Sequence, residues 1–195
     1  MSLRLNSFVI SVSYPAVALI ALIIISNRYT GYLLCLSAVI IHESGHLLFM
    51  FLFGLRPNTL DVRLFNITIL LDKRYRISAL RDCIIIIAGP VLNITMFLAF
   101  YAVYRDFAYV NLYIGLFNFL PASNLDGGQL MFLCLSSKFT YNKSVFISDI
   151  TTLIISFVIF FFGILILFDS YFNFSLLFIG LYLFLSVFFR KEKYL

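Results

Sequence analysis

The stretch Tyr32–Phe53 reads YLLCLSAVIIHESGHLLFMFLF. It is apolar and long enough, at about 1.5 Å per residue, to cross a hydrocarbon core of about 30 Å. A membrane helix is therefore expected here, about Tyr32–Phe53, and it carries His42-Glu43-Ser44-Gly45-His46. The chain has two histidines, and both lie in this pentapeptide. Of its two glutamates, one separates them. On a helix, positions i and i+4 share a face, so His42 and His46 can bind one metal ion together. Glu43 points to the side of that pair, where it can polarise a metal-bound water. The plainer alternative, two core histidines beside a buried glutamate, leaves a costly intramembrane carboxylate without a purpose.

The rest of the chain agrees with a membrane setting. Of its 195 residues, 63% are hydrophobic and 12% charged, with a mean hydropathy of +1.04. No soluble globular domain has this composition, and long apolar segments recur along the whole length. The net charge of +5 does not point to nucleic acid, because the basic residues lie at the ends of apolar runs. Cys35, Cys83 and Cys134 stand alone in apolar surroundings, without metal-ligand spacing or a disulfide pattern.

Taken in order, the expected architecture is an all-α polytopic protein of six transmembrane helices, forming a single domain over 1–195. The first span is about Ser7–Ile25, an uncleaved helix interrupted by Pro15. The second carries the histidines. Gly54–Asp82 is the most charged part of the chain. Within about 60–71, Leu60, Val62 and Leu64 alternate with polar residues, and Ile67 and Ile69 flank Thr68. That period predicts a short membrane-associated β-hairpin turning near Phe65-Asn66. The third span is about Cys83–Tyr104 and contains a Gly89-Pro90 pair that permits close packing. The fourth, about Phe107–Leu135, is broken by Pro121 and Asn124-Leu125-Asp126-Gly127-Gly128. A polar, glycine-rich break cannot face lipid, so it lines a cavity or another helix. The fifth and sixth spans, about Ile150–Phe168 and Phe172–Phe189, are nearly featureless.

Six spans place both termini on one side. All but two of the 14 lysines and arginines, Arg28 and Arg105, then fall on that same side. The positive-inside rule makes both termini cytoplasmic. His46 would lie roughly 12 Å from the cytoplasmic end of its helix at Gly54.

Two histidines leave a zinc site incomplete, since catalytic zinc usually takes three protein ligands and keeps one position for water. Asp149 and Asp169 lie at span ends, whereas Asp126 sits in the broken fourth span. Asp126 is the natural third ligand, and Gly127-Gly128 would let its backbone approach the histidine helix. A helix N-cap at Asn124 or Asp126 is compatible with that assignment.

Three stretches carry a family resemblance: His42-Glu43-Ser44-Gly45-His46, Ala88-Gly89-Pro90-Val91-Leu92-Asn93, and Asn118-Phe119-Leu120-Pro121 followed by Leu125-Asp126-Gly127-Gly128. In kind and order they resemble the signatures of the site-2 protease family of intramembrane zinc metalloproteases. Size and span layout are most similar to the bacterial sporulation branch, whose members cleave a membrane-associated sigma-factor precursor. The resemblance covers a catalytic core of about 32–135. It implies one Zn2+ held by His42, His46 and Asp126, with Glu43 as general base. Asn93 and Asn118 are candidates for substrate positioning or oxyanion donation. The chain departs from the pattern at Asn124, where many members have a second proline, and at Gln129, where a basic residue is common. No PDZ-like domain fits between the spans, and no nucleotide-sensing domain follows the last one within these residues.

The expected function is hydrolysis of a peptide bond in a membrane-tethered regulatory protein, near the cytoplasmic face of a bacterial cell membrane. A membrane inhibitor or regulator protein is a possible partner, and no nucleic acid is expected. A strand within Leu60–Leu71 would hold the unwound substrate by edge pairing. The alternatives are a membrane metal transporter and a catalytically inactive metal-binding scaffold. Neither explains a glutamate placed as a base.

Overall fold

The computed structural model describes residues 2–5, 8–12, 29–62, 67–71, 77–170 and 174–188. The elements follow as β1 (Ser2–Leu5), β2 (Phe8–Val12), α1 (Tyr29–Leu52), β3 (Pro57–Val62), β4 (Ile67–Leu71), α2 (Ala79–Phe100), α3 (Arg105–Asn118), α4 (Asp126–Ser136), α5 (Tyr141–Ser170) and α6 (Ser175–Phe188). They divide into two compact units, Met1–Leu116 and Phe117–Leu195.

The first unit holds a four-stranded sheet in the order β1-β2-β3-β4, which corrects the all-α expectation. β1 pairs antiparallel with β2, with Arg4 opposite Val9. β2 runs parallel to β3, with Ile10 opposite Leu60. β3 runs antiparallel to β4, with Leu60 opposite Ile69 and Val62 opposite Ile67. The turn expected at Phe65-Asn66 lies outside the described residues. A helix over Ser7–Ile25 is wrong for its first part, since Phe8–Val12 is a strand; the remainder lies outside the described residues. The cause is legible in the chemistry. Leu3-Arg4-Leu5 alternates, and Val9, Ile10 and Val12 are β-branched. The partner that completes this strand, β3, is some fifty residues away, beyond any local window. Pro57 opens β3 opposite Leu71, while the pairing with β2 begins only at Thr59. A proline at the first residue of a strand is where its missing N–H is tolerated.

The histidine helix α1 closes on Gly54, whose φ of +72° suits a residue without Cβ. The Gly54 N–H donates to the Phe51 carbonyl and the Leu55 N–H to the Met50 carbonyl, both at 2.9 Å. This is a Schellman ending, and its usual hydrophobic contact is present. Met50 and Leu55 are buried together with Ile85, flanked by Phe49, Phe53 and Ile77. At the head of α2, Ser78 caps the helix by accepting from the Arg81 N–H.

The second unit contains α4, α5 and α6. A Cβ on Gly163 would lie 2.8 Å from the Leu177 nitrogen, and one on Gly180 would lie 2.9 Å from the Phe160 nitrogen. α5 and α6 therefore run antiparallel at close approach through small residues. Ala122, Leu125 and Leu183 form the core, covered by Phe117, Leu120, Ile155, Ile159, Ile179 and Tyr182.

Among the described residues, three helices are long and apolar enough to cross a membrane: Thr30–Leu52, Ala79–Phe100 and Tyr141–Asp169. The expected fourth span is two helices, of 14 and 11 residues. α6 has 14 residues, about 21 Å, so the described residues do not give six full-length spans. Phe157 and Phe168 on α5, Leu52 on α1 and Leu98 on α2 are each about two-thirds exposed or more. Such apolar flanks belong to an integral membrane protein, whose outer surface meets lipid.

Candidate metal centre

His42 and His46 are buried, with 4% and 8% of their surface exposed. Helix spacing puts them on one face of α1, with their rings edge to face and centroids 4.8 Å apart. What aims them comes from α2. The His46 Nδ1 lies 2.8 Å from the Ile85 carbonyl, which can only accept, so Nδ1 carries the proton. The His42 Nδ1 lies 3.2 Å from the Asn93 Oδ1. The Asn93 amide nitrogen donates to the Ala38 carbonyl (3.1 Å) and to the Asn111 Oδ1 (3.3 Å). Those two bonds fix the amide with its oxygen toward the imidazole, so His42 also carries its proton on Nδ1.

In the neutral form of each ring both Nε2 atoms then present lone pairs, and they face each other at 3.2 Å. Two acceptors at that distance repel unless a cation lies with them. Two neutral imidazoles, each with its Nδ1–H anchored by a carbonyl or amide oxygen, are the arrangement in which histidines ligate a metal. The donor set thus fits a borderline-soft divalent ion such as zinc.

The space for the rings comes from α2. A Cβ on Gly89 would collide with the His46 Nε2 and lie 3.0 Å from the His42 Cε1. Pro90, next to it, is fully buried within the helix. The two other residues of the motif have local tasks. Ser44 donates to the Ile40 carbonyl one turn back, and a Cβ on Gly45 would lie 2.6 Å from the Ala88 carbonyl oxygen, so α1 and α2 touch backbone to backbone there. Glu43 is half-buried beside His42.

Asn93 and Asn111 are both fully buried. The Asn111 amide nitrogen donates to the Phe107 carbonyl, so α3 supports α2, and α2 supports His42. Asn93, expected as an oxyanion donor or substrate positioner, has both amide hydrogens and its oxygen engaged in holding this chain of contacts. Sequence reasoning missed Asn111 and the Ile85 carbonyl. An asparagine in the middle of the apolar run of α3 was the available signal for the first; a carbonyl leaves none.

Asn118 and Asp126 belong to the second unit. Asn118 is the half-buried last residue of α3, and Asp126 is the first residue of α4, with 8% of its surface exposed. A carboxylate in the first helical turn is favoured by the N-terminal dipole. Gly127 and Gly128 were expected to admit the histidine helix. Within the second unit, a Cβ on either would collide with the preceding loop, at the Phe119 and Ala122 carbonyls respectively. They let the first turn of α4 fold back on its own segment.

Comparison with solved structures gives a match to the site-2 protease from Methanocaldococcus jannaschii, with a TM-score of 0.71. The chain has the site-2 protease fold. The match covers 96% of this chain and 93% of the other, at 22% sequence identity. By sequence, the chain is similar to stage IV sporulation protein FB of Bacillus subtilis, 28% identical over 142 residues. That alignment covers 67% of this chain and 49% of the relative, so the chain spans about half the length of the curated relative it matches. No family model matches. The resemblance to site-2 proteases carried by the three motifs is met in both sequence and fold.

Proposed function

We propose that this protein is an intramembrane zinc endopeptidase that cleaves a membrane-associated regulatory protein near the cytoplasmic face. The observation that carries it is the pair of facing Nε2 atoms on His42 and His46, 3.2 Å apart and each backed by an anchored Nδ1–H. His42, His46 and Asp126 are the ligands in this proposal. Zinc held there supplies Lewis-acid polarisation of the scissile carbonyl and a water acidified toward neutral pH.

Glu43 follows His42 directly and is the general base. It takes a proton from the attacking water and returns it to the departing amine, so no proton is lost from the site. Asn118 is the donor to the developing oxyanion. Asn93 orients His42. A peptide bond inside a helix is shielded by its own hydrogen bonds, so the substrate must unwind before cleavage. β4 is an edge of the described sheet and would hold the unwound segment in extended form.

Both termini are assigned to the cytoplasm from the charge distribution. The proposed substrate class, a membrane-associated sigma-factor precursor, is carried over from the sporulation branch that the three motifs resemble. The test is co-expression of the full chain with such a precursor. Cleavage by wild type and its loss in Glu43→Gln, with zinc retained, is the expected result. A metal transporter or an inactive scaffold would give no Glu43-dependent product and would overturn the assignment.

A further inference from the structure

The loop between α3 and α4, residues 119–125, is non-helical backbone in apolar surroundings, so its N–H groups need partners. Leu120 donates to the Phe117 carbonyl, Ala122 to Leu120 and Leu125 to Ala122. The Ser123 N–H leaves the loop and donates to the Thr152 Oγ1 on α5, at 3.0 Å. The Thr152 hydroxyl donates to the Ser148 carbonyl at 2.7 Å, so its one proton is committed. The Ser123 Oγ, 2.8 Å away, must then be the donor to Thr152. With its own proton spent, the Ser123 Oγ accepts from the Ser148 Oγ at 3.1 Å. One threonine hydroxyl thus uses its single proton and both lone pairs. Ser148 and Thr152 are fully buried, and Ser123 is 7% exposed.

This knot lies three residues before Asp126. The loop and the first turn of α4 are already close-fitting, because Gly127 and Gly128 rest on the Phe119 and Ala122 carbonyls. Where Ser123 sits therefore decides where the Asp126 backbone sits. We propose that Thr152, supported by Ser148, is a positioning residue that fixes the Asp126 carboxylate for metal binding. The inference rests on the metal assignment above. It gives α5, featureless in sequence, a part in setting zinc affinity.

The experiment is a chelator-competition measurement of zinc dissociation on the purified full chain in detergent. Thr152→Val keeps the side-chain shape but removes the hydroxyl. It should weaken zinc binding by about 10- to 100-fold, the range for losing an outer-shell support. Thr152→Ser restores the hydroxyl and should bind within a few-fold of wild type. Ser148→Ala and Ser123→Ala should fall between the two, and they carry the test if Thr152→Val does not fold. Wild-type affinity in Thr152→Val, Ser148→Ala and Ser123→Ala would overturn the proposal. So would Thr152→Ser binding as weakly as Thr152→Val, since packing would then be the cause. Asp126→Ala separates the two levels. If it loses zinc while the α5 variants do not, only the positioning role fails. If it keeps zinc, the ligand assignment itself is wrong.

Discussion

His42 and His46 occupy successive turns of the 24-residue helix α1, whereas Asp126 opens an 11-residue helix after a break in the chain. Under the proposed ligand set, the contrast gives two ways of aiming a ligand inside a membrane protein. On the histidine side the backbone is regular, and helix geometry supplies the spacing. What needs control is the ring orientation, and buried oxygens of Asn93 and Ile85 provide it. On the aspartate side the backbone itself is irregular. Its loose polar groups need external partners, and hydroxyls of α5 supply them.

Substitutions that break each side should differ accordingly. The largest effect is expected from Gly89→Val, because a branched side chain would occupy the space of both imidazoles. Zinc content should fall to background while Gly31→Val, where nothing lies within 4 Å of a Cβ, leaves it unchanged. Asn93→Ala should come next. It removes the acceptor that fixes the His42 tautomer and should weaken zinc binding by about 10- to 100-fold in a competition titration. Gly128→Ala tests the other side, since its Cβ would collide with the Ala122 carbonyl. The expected cost is about 1–3 kcal/mol of stability from overpacking, measured by denaturant unfolding in detergent. The smallest effect is expected at Gly54→Ala. Forcing a side chain into a φ of +72° should cost about 1–2 kcal/mol in the same assay, with zinc affinity unchanged.

The same contrast explains what is legible in the sequence. The histidine motif, the Gly-Pro pair and the broken segment before Asp126 are local patterns, and each lies where its pattern puts it. β1 and β2 were missed because apolar composition over Ser7–Ile25 outweighed a short alternation whose pairing partner, β3, is distant in sequence. Asn93 was seen, but its task was not, since that depends on Ala38 and Asn111 meeting its amide from other helices. Ser148 and Thr152 gave no signal at all. In a long apolar helix a hydroxyl can bond its own preceding turn, and only the fold shows that these two also hold Ser123.

The most direct measurement is zinc per chain in purified wild type, Glu43→Gln and Asp126→Ala. About one zinc is expected in wild type and Glu43→Gln, with its loss in Asp126→Ala, as a three-ligand site requires. Undiminished zinc in Asp126→Ala, or none in wild type, would contradict the ligand set and remove the basis of the protease assignment.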